Sequence, residues 1–250
     1  MYHQNPHELL RKIKKSYEDN TETSIDLEML LDAALSVAPM LKRIPAETCF
    51  YRARTYWEDD AYRKYADGVP KNQRFQGFDA DGSFVNLHPS KGRCNQEDEP
   101  ILYLSESIQA CALEIGSKRE TAVSIAIIKV KEELTLLDLH KGSNIASGND
   151  MQKVKWISGL KKALSAEMNF PNREYSLTQK ISEYARKKAF DGIMYHSTFH
   201  VDNLEKTDRG SLNYAIFNYE NASRYLLSCI LSRMWKFNWK LLRSMKHNEL

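Results

Sequence analysis

The 250-residue chain has no run of about 18 apolar residues, so no transmembrane helix is expected. Its first twenty residues, "MYHQNPHELLRKIKKSYEDN", lack the apolar centre of a secretory signal. The four cysteines, Cys49, Cys94, Cys111 and Cys229, form no C-x-x-C pair, which argues against a zinc knuckle or a disulfide framework. Together these absences make a reducing cytoplasm the expected location. Seven histidines are dispersed, and none stands at ligand spacing from a cysteine or carboxylate, so no metal is expected. There is no internal repeat, no low-complexity block, and no G-x-G-x-x-G, G-K-[ST], H-E-x-x-H or G-x-S-x-G.

What is present has the balance of a soluble globular protein, 42% apolar and 28% charged. Net charge is +3 from 36 basic and 33 acidic side chains, too even to announce a nucleic-acid binder. The tail is the exception. From Ala222 onward six basic residues face Glu249 alone, a local charge of +5.

Apolar spacing predicts two helices between His7 and Arg43, with Pro45 closing the region. "CFYRAR", "PILYLS", "TAVSIAIIKVK", "LTLLDL", "IMYHS" and "NYAIFN" read as strands, while residues 55–98 are polar and punctuated by glycine and proline. "SIQACALEIG", "MQKVKWISGLKKALSAEM" and "SLTQKISEYARKKAF" read as helices. Ser176 and Gln179 have the spacing of a capping box for the last of these, and Gly192 is placed to end it. A final helix is expected from about Ser223, because Leu227, Ile230, Leu231 and Met234 fall near helical spacing. Irregular alternation of strands and helices predicts the α+β class. The expected divisions are an N-terminal helical segment over 1–46, a catalytic domain over 47–221 and a basic amphipathic helix over 222–250.

Several residues at strand ends could carry chemistry. Arg52, in the apolar strand "FYRAR", needs an anion, which a structural ion pair or a ligand would supply. Arg93 sits in the glycine-flanked "KGRCN" loop, where a guanidinium is either solvated or ligand-binding. Tyr103 reads as a core residue with its hydroxyl at an edge. Glu114 lies one turn from Ala110 and Cys111 on a small-residue helix face open to close approach. Ser197, after "DGIMYH", can cap a turn or meet a ligand.

Taken together, "FYRAR", "GRCNQEDEPILYLSESIQACALE" and "SLTQKISEYARKKAFDGIMYHS" resemble the RES domain family in order and style. That family takes its name from an Arg, a Glu and a Ser, which match Arg52, Glu114 and Ser197. The resemblance covers roughly residues 48–220, with "NYAIFN" similar to the closing strand. The segment between Arg52 and Arg93 is longer than in compact members, and the N-terminal helices and basic tail lie outside the shared region.

The resemblance implies a fold related to the ADP-ribosyltransferases and a cleft for NAD, with NAD as substrate and no cofactor. It implies breakage of the nicotinamide–ribose bond, with Arg52, Glu114 and Ser197 catalytic and Arg93, Asn95 and Tyr103 binding substrate. Many members are toxins of bacterial toxin–antitoxin pairs, so an antitoxin protein is an expected partner. Chemistry agrees: Arg52 and Arg93 suit a pyrophosphate, Glu114 suits a developing ribosyl cation, and Tyr103 offers a face for ring stacking. Transfer of ADP-ribose to a protein and a non-catalytic binding module are the alternatives. The tail, with Trp235 and Trp239 four residues apart, is read either as docked on the domain or as an interaction helix through which the chain could form a homo-oligomer.

Overall fold

Strand pairing gathers the apolar runs into one eight-stranded sheet among the described residues of the computed structural model. Those residues are 2–19, 21, 26–37, 40–55, 88–115, 122–140, 151–169, 175–197 and 212–231. The strands are β1 (Leu41–Ile44), β2 (Cys49–Thr55), β3 (Leu102–Ser105), β4 (Ala122–Val130), β5 (Leu134–Asp138), β6 (Gly192–His196), β7 (Leu212–Ile216) and β8 (Ala222–Leu231). Their order across the sheet is β1-β5-β6-β7-β3-β2-β4-β8. Only β5 and β6 run parallel. The α+β class read from the sequence is therefore the class of the fold.

The helices are α1 (Pro6–Asp19), α2 (Leu27–Val37), α3 (Ile108–Glu114), α4 (Met151–Asn169) and α5 (Ser176–Lys187). Short polar residues start α1 and α2: Asn5 Oδ1 accepts the His7 N–H at 2.9 Å, and Asp26 Oδ1 accepts the Met29 N–H at 2.7 Å. Alternation along the strands sorts the core. Ile193, Tyr195, Ala215 and Phe217 pack beneath α1, α2, α4 and α5, while Met194, Tyr214 and Ile216 point to the opposite face. That second face meets Phe50, Ala126, Ile128 and Val130 from the far half of the sheet, with the rings of Phe50 and Tyr214 4.5 Å apart. The sheet thus curls over its own core, and α3 closes a third cluster against Ala53, Val123 and Ile125.

Four local expectations are corrected. First, residues 1–46 are not a separate helical segment. Leu41–Ile44 pair antiparallel with Leu134–Leu137, and Leu9, Leu10, Ile13, Leu30 and Leu31 share one buried cluster with α4 and α5. Covering the outer edge of β5 outweighs the helical spacing there. Second, the tail does not begin as a helix. Ala222–Leu231 form β8, paired along nearly the whole of β4, so tertiary pairing overrides a spacing that suits either element. Residues 232–250, with Trp235 and Trp239, lie outside the described residues. Third, Gly192 does not end α5. The left-handed residue after the helix is Ala189 (φ 58°), and Gly192 is the first residue of β6. The Ser176–Gln179 capping box is not formed either, because Gln179 turns to the loop before β3.

Gly192 has a different reason to be glycine. A Cβ there would stand 2.3 Å from the Ala215 carbonyl oxygen and 3.1 Å from Ile216 Cα, both backbone atoms of β7. A strand in mid-sheet cannot retreat from its neighbour, so Gly192→Ala is expected to destabilise the chain by about 1–3 kcal/mol. Urea unfolding measures this, and an unchanged midpoint would show that β6 and β7 can separate at that point.

Candidate functional site

β2 and β3 share a single registered pair, Tyr51 with Ser105, whereas β2 and β4 share seven, so the sheet parts at β2/β3. Continued pairing would set Ala53 opposite Tyr103. Instead the Arg52 side chain occupies that position, and its Nη1 donates to the Tyr103 carbonyl at 3.0 Å. A cavity of about 320 Å³ opens beside this gap. Arg52, Ala53 and Arg54 line it from β2, and Tyr103, Leu104 and Ser105 from β3. Cys111, Glu114 and Ile115 come from α3 and its end, Gly92 and Arg93 from the loop before β3, and Tyr175, Tyr195 and Asn213 complete the wall.

Glu114 is the last residue of α3, which starts cleanly because Ser107 Oγ accepts the Ala110 N–H. Its Oε1 receives two hydrogen bonds, from Ser197 Oγ at 2.7 Å and from Asn213 Nδ2 at 2.6 Å. Oε2 has no hydrogen-bond partner among the described residues. Hydrogen bonds to a charged group are worth about 1.5–3 kcal/mol each, enough to hold this carboxylate in one orientation. Ser197 itself is buried just beyond β6 and is not part of the cavity lining, which it meets through Glu114.

The two arginines are held differently. Arg52 is 7% exposed, and its Nε is buried without a hydrogen-bond partner among the described residues. Burial pulls its pKa well below the ordinary arginine value, and Arg54 alongside adds to the effect. Such a guanidinium is incomplete without an anion. Burial also acts to lower the pKa of Arg93, but Tyr195, Cys94 and Glu114 around it outweigh this and raise it. Its guanidinium carbon lies 5.7 Å from the Tyr195 ring centroid.

Of the residues expected from the sequence, Arg52, Arg93, Tyr103, Glu114 and Ser197 do converge. Asn95 does not reach the cavity. It is 2% exposed, its amide donates to the carbonyls of Ser90 and Gln96, and its Oδ1 accepts from the Tyr103 hydroxyl at 2.9 Å. Its side-chain polar atoms are used on the loop and on Tyr103, so the structure gives it a supporting place instead of ligand contact. The Tyr103 hydroxyl likewise receives the Cys94 N–H at 2.9 Å, which makes Tyr103 a strut of the same loop. Asn213 was missed. It stands opposite both Ser105 and Tyr195 in the register, and a polar residue opening the buried strand "NYAIFN" was the available signal.

The model of the RES domain family matches residues 69–240. This chain belongs to the RES domain family. The match includes Glu114 and Ser197 and runs on into the tail, which agrees with β8 lying in the sheet. Arg52 lies upstream of it and joins the site through the fold. No curated protein matches the sequence significantly. Among solved structures, the chain is similar to one in the crystal structure of the M. tuberculosis MbcT–MbcA toxin–antitoxin complex. The TM-score is 0.47 and the identity 15%, covering 88% of this chain and 98% of that one. Among the described residues no group of His, Cys, Asp or Glu is arranged to hold a metal ion, and no helix is long and apolar enough to cross a membrane.

Arg52→Met relieves the desolvation of a buried charge but leaves the Tyr103 carbonyl without its donor. The two effects oppose each other, so stability is expected to stay within about 1 kcal/mol of the parent. Chemical denaturation reads this, and a loss above about 2 kcal/mol would show that the arginine serves the fold.

Proposed function

We propose that this RES-domain protein consumes NAD by cleaving the nicotinamide–ribose bond, passing the ADP-ribose unit to water or phosphate. One observation carries the reading: the buried, half-satisfied guanidinium of Arg52 shares a cavity with Arg93 and with a carboxylate fixed by Ser197 and Asn213. Cations for a pyrophosphate thus stand beside an anion for a developing ribosyl cation.

In this step the C1′–N bond breaks and its electron pair stays on the nicotinamide nitrogen, so the pyridinium leaves as neutral nicotinamide. Positive charge spreads over C1′ and the ring oxygen, where Glu114 offsets it. An oxygen of water or phosphate then bonds to C1′ and its proton passes to solvent. Ser197 and Asn213 act on Glu114, holding Oε1 so that Oε2 is left for the sugar. Family membership supports a toxin role, with an antitoxin protein as partner.

Purified chain incubated with NAD, with and without phosphate, tests the reading. Free nicotinamide with ADP-ribose or its phosphorylated form is the expected outcome. Label on protein would indicate ADP-ribosyl transfer, and binding without turnover a binding module. Glu114→Gln keeps the shape and removes the charge, so turnover is expected to fall by about 10²–10³-fold. Near-normal turnover by a folded variant would remove Glu114 from the chemistry. Arg52→Lys should weaken NAD binding in calorimetry, because an ammonium cannot reproduce the planar fork.

A further inference from the structure

The loop that carries Arg93 is fixed from behind by the first turn of α5. Gln179, 4% exposed, donates from Nε2 to the carbonyls of Gly92 and Asn95, both at 2.9 Å. Its Oε1 accepts from Gln96 Nε2 at 3.2 Å. Thr178 Oγ1 donates to the Arg93 carbonyl at 2.7 Å and lies 3.1 Å from the Tyr175 carbonyl. Farther along the helix, Arg186 pairs with Glu99 at 2.9 Å. The carbonyls on either side of Arg93, and its own, are therefore held by two neighbouring helix residues that do not line the cavity.

We propose that Gln179 and Thr178 are positioning residues that set affinity for the anionic part of the ligand by holding Arg93 at the cleft. This rests on the NAD reading only for the identity of the ligand. A polar side chain on the buried face of a helix normally answers the helix itself or water. Gln179 does neither: each of its polar atoms is used on the loop before β3. Without it the Gly92 carbonyl loses its side-chain donor and the Asn95 carbonyl is left with the Gly92 N–H, so the turn that carries Arg93 is freer to move away from Tyr195.

The test uses Gln179→Met, which keeps length and loses both donors, with Thr178→Val against Thr178→Ser. NAD affinity by calorimetry is expected to fall about tenfold in Gln179→Met and Thr178→Val, while Thr178→Ser, which keeps the hydroxyl, stays near the parent. In an Arg93→Ala background Gln179→Met should cost little further, since the effect passes through Arg93. Equal losses with and without Arg93 would overturn the proposal in favour of a general structural role. A second readout needs no ligand: hydrogen exchange at the Cys94 amide, bonded to the Tyr103 hydroxyl, should quicken in Gln179→Met while later α5 amides hold. Unchanged exchange overturns the proposal whether or not NAD binds. Failure of the parent chain to bind NAD would overturn the functional reading instead, and leave the exchange result to decide this one.

Discussion

Where β2 and β3 stop pairing, a side chain does the work of a backbone. After Tyr51 and Ser105 the two strands should continue at Ala53 and Tyr103, yet the Tyr103 carbonyl is taken by Arg52. Substituting a guanidinium for a ladder hydrogen bond wedges the sheet open and places a cation at the base of the opening. The curled sheet makes this tolerable. Phe50 and Leu104 stay in the shared core, so the two halves remain joined by packing where they are no longer joined by hydrogen bonds. A flat sheet parted at the same point would lose its continuity.

The opposite wall depends on the same register. Ser105, Asn213 and Tyr195 lie in one row across β3, β7 and β6, and Ser197 follows two residues beyond Tyr195 on the same strand path. Alternation along a strand sends these residues to one side. α3, seated on Ala53, Val123 and Ile125, brings Glu114 to that row at the end of its last turn. Arg52 on one wall and a clamped carboxylate on the other thus follow from where one ladder ends.

How much of this is legible in the sequence depends on the range of the interactions. β-branched runs and helical spacing identify most elements, since both patterns are local. Arg52, Glu114 and Ser197 are legible through their motif context, although nothing local says that they meet. Asn95 and Gln179 show the limit. Both are amides in polar surroundings, and only the packing of α5 against the loop assigns one to bracing the turn from within and the other to bracing it from behind. The capping-box spacing of Ser176 and Gln179 is real but loses to these contacts. In the tail, Leu227, Ile230 and Leu231 satisfy helical spacing, yet the long apolar edge of β4 offers a partner that an isolated helix would lack. Tertiary pairing decides such cases, and a single sequence does not display it.

For stability, the Arg52 hydrogen bond to the Tyr103 carbonyl is set against the cost of burying its charge. A cation stripped of water with one carbonyl partner and a bare Nε raises the energy of the folded chain, and a second arginine, Arg54, stands close by. Packing could fill the same gap with methionine or leucine. An anionic ligand changes the balance, because it supplies the missing acceptor beside a buried guanidinium, where a charge-assisted hydrogen bond is stronger than in water. Energy withheld from folding then becomes available for binding. The same logic explains why Arg93, unlike Arg52, can be held on a loop. Its carbonyl and those of Gly92 and Asn95 are tied down by α5, so little conformational freedom remains to be lost when a ligand arrives.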